Sequence, residues 1–139
     1  MSHIPTVRRF FEELEALDMA HMATYFAEDC VYEDVPIGEA ATARGPAAVQ
    51  AKLEGGFQDV DKLVNTLHEI VEQDGTVLVE RTEVWHHPTG EEVPLPVMTV
   101  IKLDAAGKFT LWRDYWDMAT LMNNQPKSWL ERIAQNAGA

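Results

Sequence analysis

The chain is poor in four things, and each scarcity closes off a class of function. Cysteine occurs once, at Cys30, so no intrachain disulfide can form. Cys30 lies in an apolar run with no histidine near it, and reads as a buried, inert thiol. Basic residues are also scarce: 11 Lys and Arg stand against 23 Asp and Glu, giving a net charge of −12. Nucleic acid demands a basic patch, and an anionic membrane surface would repel such a chain. There is no apolar run long enough to span a bilayer. The opening Met-Ser-His-Ile-Pro lacks the basic and apolar parts of a signal peptide, so the expected location is cytoplasmic. Finally, there is no glycine-rich phosphate loop, no Ser-His-Asp arrangement and no convergent metal-ligand set. His3, His21 and His68 are scattered, and His86-His87 precede a Pro-Thr-Gly turn and are expected at the surface. No metal and no cofactor are expected.

What is present suits one domain, 1–139. The length supports a real core, and no repeat or linker divides it. Val7, Phe10, Phe11, Leu14 and Leu17 recur at three- and four-residue steps, which predicts a helix over 5–17. Asp18 is placed to cap a second helix, 19–27, and Gly45-Pro46 to open a third, 46–57. A strand is predicted at 30–35, between the second and third helices. The second half reads as a meander of strands over 63–73, 76–86, 93–103 and 108–117. Asp74-Gly75 and Pro88-Thr89-Gly90 mark its turns. A short helix at 126–135 ends the chain. The fold class is α+β: a curved, mostly antiparallel sheet forming a cone, with the N-terminal helices packed on its concave side.

Three short stretches carry the chemistry: Tyr32-Glu33-Asp34, Glu80-Arg81-Thr82-Glu83 and Trp112-Arg113-Asp114-Tyr115. Strand side chains alternate faces, so Tyr32 and Asp34 share one, as do Arg81 and Glu83. Asp114 shares its face with Trp112 and Trp116. If these faces line one pocket, it holds three acids, an arginine and a phenol. Such a setting pushes carboxylate pKa values apart and equips one site with both an acid and a base. Trp85, Leu95, Val97 and Trp116 fall on the same strand phases and are expected as apolar walls, joined by Met22 and Phe57 from the helices.

These residues resemble the limonene epoxide hydrolase family, within the broader nuclear-transport-factor-like and ketosteroid-isomerase-like cone fold. The likeness rests on Tyr32-x-Asp34-x-Pro36, Glu80-Arg81-x-Glu83, Pro88-Thr89-Gly90, and the run from Gly107-Lys108 through Trp112-Arg113-Asp114-Tyr115 to Asp117. It implies one-step hydrolysis of a small apolar epoxide. Asp114 would be the general base, Tyr32 and Asp34 the water holders, Glu83 the acid, and Arg81 the bridge between acid and base. Two positions depart from the family's pattern. Glu83 stands where aspartate is usual, which moves the proton by about one bond length, and misplacement by roughly 1 Å can cost on the order of 10²-fold. Asp34 stands where asparagine is usual, which removes a donor and adds a like charge beside Asp114.

Two other readings stay open. In a ketosteroid-isomerase-like or polyketide-cyclase-like enzyme Asp34 would be the proton-transfer base, although the matching oxyanion positions are Phe10 and Thr99. A non-catalytic binding or dimerisation domain is the other. In every reading the outer sheet face, with Val84 and Val100, is expected to pair two copies as a homodimer.

Overall fold

The structure, a computed structural model, describes residues 2–137. Helix α1 (Ile4–Leu14) starts with proline in its first turn, where a missing N–H costs nothing. It buries Val7, Phe10, Phe11 and Leu14. Leu17 turns the chain with φ 59°, which ends the helical run three residues sooner than the apolar spacing predicts. Asp18 then caps α2 (Met19–Ala23) by accepting from the His21 N–H.

The first strand, β1 (Phe26–Asp34), begins four residues before the predicted start. The Thr24 hydroxyl donates to the His21 carbonyl and closes α2 early. A register shift between Phe26 and Val31 leaves Glu28 and Asp29 exposed, which hides the strand's alternation. A single 3-10 turn (Glu39–Ala41) and β2 (Ala43–Arg44) lead into α3 (Pro46–Gly56). The meander follows as β3 (Lys62–Gln73), β4 (Thr76–His86), β5 (Glu92–Leu103) and β6 (Phe109–Tyr115). Asp74 and Gly75 join β3 to β4 with positive φ at both positions, as the tight hairpin requires. A helix absent from the sequence reading, α4 (Met118–Asn124), is capped by Asp117, and α5 (Lys127–Ala137) closes the domain.

The six strands form one curved sheet in the order β2-β1-β6-β5-β4-β3, antiparallel except where β1 lies parallel to β6. The alternation of β4 and β5 is regular: every second residue is buried. Their buried set faces the helices. Phe10 and Phe11 of α1 meet Trp112 of β6 edge-on, at ring separations of 5.0 and 6.2 Å. No helix among the described residues is long and apolar enough to cross a membrane.

Candidate active site

Alternation brings the polar residues of five strands into one belt across the concave face. Asp34 of β1 is the register partner of Asp114 on β6, and Asp114 is the partner of Thr99 on β5. Arg81 and Glu83 follow on β4, and Asn65 on β3 is the partner of Glu83. Arg81 is 1% exposed and is the hub. Its Nε donates to Thr99 Oγ1 at 2.9 Å, and one terminal nitrogen donates to Asp114 Oδ2 at 3.1 Å. The other terminal nitrogen donates to Asn65 Oδ1 at 2.6 Å and Glu83 Oε1 at 2.9 Å. The guanidinium rests on the Phe11 ring, 4.4 Å from its centroid. The rigid fork of arginine suits this many simultaneous partners.

Each of the three acids also receives an indole N–H at 2.8 Å. Trp112 donates to Asp114 Oδ1, Trp85 to Glu83 Oε2, and Trp116 to Asp34 Oδ1. Thr99 adds its hydroxyl to Asp114 Oδ1 at 2.8 Å. The carboxylates are therefore held in fixed orientations without being removed from the cavity they line.

The electrostatics single out Asp114. Burial pushes its carboxyl up from 3.8 to about 6. The Arg81 charge pulls the other way, and Asp34 pushes it up again. Burial also raises the Tyr32 phenol well above 10, followed by the charges of Asp34 and Asp114. Burial opposes the charge on Arg81, but Asp114 and Glu83 reverse that effect and raise its pKa. Within the belt, acid and base alternate except between Asp34 and Asp114, two neighbouring carboxylates with no cation between them. The charge of Asp34 across that gap is one of the causes that raise Asp114.

Above the belt lies a cavity of about 510 Å³. It is lined by Tyr32, Asp34, Glu83 and Asp114, and by Trp85, Leu95, Val97, Trp116 and Phe57, all expected from the sequence. Arg81 lies behind this lining rather than in it. Met22 is a correction: it is fully buried in the core and is not part of the cavity lining, because α2 packs against α1 and α3 and turns it inward between them. His87 is a second correction. It is buried, with Nε2 2.7 Å from Gln125 Oε1, because it carries on the inward alternation of Arg81, Glu83 and Trp85. Neither oxyanion position of the isomerase reading is available. Phe10 packs in the aromatic core and Thr99 is committed to Arg81 and Asp114.

The sequence reading missed Lys52. It lines the cavity from α3, with Nζ 2.8 Å from Asp34 Oδ2 and 4.1 Å from the centre of the Tyr32 ring. Tyr32 is thus sandwiched between Lys52 and Trp112, whose ring stacks on it at 4.0 Å. A signal existed: Lys52 sits three residues after Val49, one before Leu53, and so on the buried side of its helix. Leu121 of α4 and Trp129 and Ile133 of α5 also line the cavity, beyond the walls expected from the strands.

The sequence profile of the SnoaL-like domain matches residues 7–112, most of the chain. The chain belongs to the SnoaL-like domain family. Among solved structures, this SnoaL-like chain is similar to an epoxide hydrolase of the limonene-epoxide-hydrolase-like type from M. tuberculosis. The two are 26% identical over 97% of this chain and 94% of the other, with a TM-score of 0.72. A Catenulispora acidiphila protein of ketosteroid-isomerase-like fold shares 18% identity over 88% and 95% of the two chains, with a TM-score of 0.75. SalBIII, an epoxide hydrolase/cyclase-like enzyme of salinomycin pyran-ring formation, shares 20% over 85% and 92%, with a TM-score of 0.73. The last two establish the SnoaL-like fold alone.

Proposed function

We propose that this protein is an epoxide hydrolase that adds water to a small, largely apolar epoxide in one general acid/base step. The observation that carries the reading is the Arg81 bridge, which holds Asp114 and Glu83 on the floor of an apolar cavity. An epoxide is a poor electrophile toward neutral water, and its oxygen leaves poorly until protonated. A base and an acid on either side meet both needs without a covalent intermediate. Water's oxygen bonds to one ring carbon as that carbon's bond to the epoxide oxygen breaks. Water's proton passes to Asp114, and the epoxide oxygen takes a proton from Glu83. The product is a vicinal diol, and proton exchange with solvent resets the two acids. Tyr32 and Asp34 orient the water, and Arg81 holds both acids in register. The 26% identity with an epoxide hydrolase over nearly the whole chain supports the same assignment.

A small alicyclic epoxide incubated with the protein in oxygen-18 water tests it. The expected product is a diol carrying one label. Proton exchange beside an enone with no diol from any epoxide would replace this reading with the isomerase one. The homodimer belongs to the same proposal. Leu78, Met98 and Tyr115 stand exposed on the outer sheet face, where apolar surface is rarely left bare.

A further inference from the structure

Lys52, to which the hydrolase scheme gives no role, makes a second polar pole of the cavity beside the water-orienting Asp34. Lys52 Nζ donates to the Ala41 carbonyl at 2.7 Å and sits 2.8 Å from Asp34 Oδ2. An ammonium has three N–H groups, so at least one is left for a further acceptor. Asp34 takes Trp116 on one oxygen and Lys52 on the other, and a carboxylate has about four lone-pair sites. The Tyr32 hydroxyl has no hydrogen-bond partner among the described residues. Donor and acceptor capacity thus stand side by side on one cavity wall. Ala40, Ala41, Ala48 and Ala51 also line the cavity, with Trp116 held against Asp34 and Trp85 against Glu83.

We propose that Lys52 and Asp34 form a subsite for a hydroxyl group of the ligand. Building on the hydrolase reading, this makes the substrate an oxygenated alicyclic epoxide rather than a plain hydrocarbon one. A hydroxyl both accepts and donates, so it takes an N–H from Lys52 and gives its proton to Asp34. A carboxylate suits the subsite poorly. The three acids that line the cavity outnumber Lys52 there and Arg81 behind them, and Asp34 already neutralises Lys52.

Binding can be read without catalysis, because Trp85, Trp116 and Trp129 line the cavity and report occupancy by fluorescence. The probes are methylcyclohexane, methylcyclohexanol and methylcyclohexanecarboxylate, titrated into the full chain. An unpartnered hydroxyl in an apolar cavity is rejected roughly tenfold or more relative to the hydrocarbon. With the subsite, wild-type protein binds the alcohol at least as tightly as the hydrocarbon and the carboxylate most weakly. Lys52→Met shifts the alcohol-to-hydrocarbon ratio by about tenfold, the size of one net hydrogen bond, and Lys52→Gln restores part of it. A wild-type preference for the hydrocarbon overturns the subsite even if no variant folds. So does a carboxylate that binds tightest, or a ratio unmoved in folded Lys52→Met. Alcohol preference in a protein that opens no epoxide leaves the subsite standing and removes the hydrolase reading instead.

Discussion

The two faces of the sheet carry the same ion-pair chemistry to opposite ends. On β6, Arg113 and Asp114 are neighbours in sequence but point to opposite sides. Arg113 pairs with Glu33 on the convex face at 3.0 Å, with both side chains about 30% exposed. Asp114 pairs with Arg81 on the concave face at 3.1 Å, with both side chains almost wholly buried. Water screens the outer pair, and pairs of that kind contribute little to stability. The inner pair has lost its water, so every neighbouring charge and donor is felt in full. Burial, not pairing, turns a carboxylate into a reagent.

The sharpest test of that contrast is Asp114→Asn, which keeps shape but removes the proton acceptor. Turnover of a reactive epoxide should fall at least ~10²-fold with the fold retained. Unchanged turnover breaks the mechanism.

Next in size is Arg81→Gln. It leaves Asp114 and Glu83 without a counter-charge in the interior, at a cost of roughly 3–5 kcal/mol. Urea unfolding measures it. A loss no larger than that of Arg113→Gln would show that the inner cluster is better hydrated than its burial implies.

How much of this inner cluster was legible in the sequence follows from strand period. β4 and β5 alternate cleanly, so Arg81, Glu83, Trp85, Leu95 and Val97 could be placed on one face with no coordinates. Their partners across strands could not be read, because register between distant strands has no local signal. Thr99 therefore looked like a failed oxyanion donor, whereas it links Arg81 to Asp114. Met22 was assigned to the cavity because a buried helix face does not say which layer it is buried in. Lys52 escaped notice because α3 is rich in small residues, so its apolar side is poorly marked.

The third prediction concerns pH. The base must be ionised, so activity should fall as pH drops through about 6, the value to which Asp114 is raised. Asp34 is one cause of that rise, so Asp34→Asn should move the acid limb to lower pH with a modest change in plateau rate. A limb that stays put would show that Asp34 and Asp114 do not sense one another. Stability carries the same signature. The folded pKa lies above the ordinary 3.8, so protonated Asp114 favours the fold below that value. The contribution is lost as pH rises to about 6, and the gap between wild type and Asp114→Asn in urea should change over that window.

The smallest effects belong to the convex face. Glu33→Gln should change monomer stability by no more than ~1 kcal/mol. Met98→Asp, on the same face, should leave the monomer folded but weaken self-association, read by light scattering. A wild type already monomeric at micromolar concentration would remove the proposed dimer.

The parallel contact between β1 and β6 sets the order in which the site comes into being. The meander from β3 to β6 closes by short turns between sequence neighbours, and hairpins of this kind form in about 1–10 μs. It brings Arg81, Glu83, Thr99 and Asp114 together early. Tyr32 and Asp34 arrive only when β1 docks beside β6, a closure between Asp34 and Asp114, which stand 80 positions apart in the sequence. The Arg81 cluster should therefore assemble before the wall that orients the water. Pulse-labelled amide exchange during refolding would show it: protection in β4 and β5 should precede protection in β1, and simultaneous protection would contradict this order.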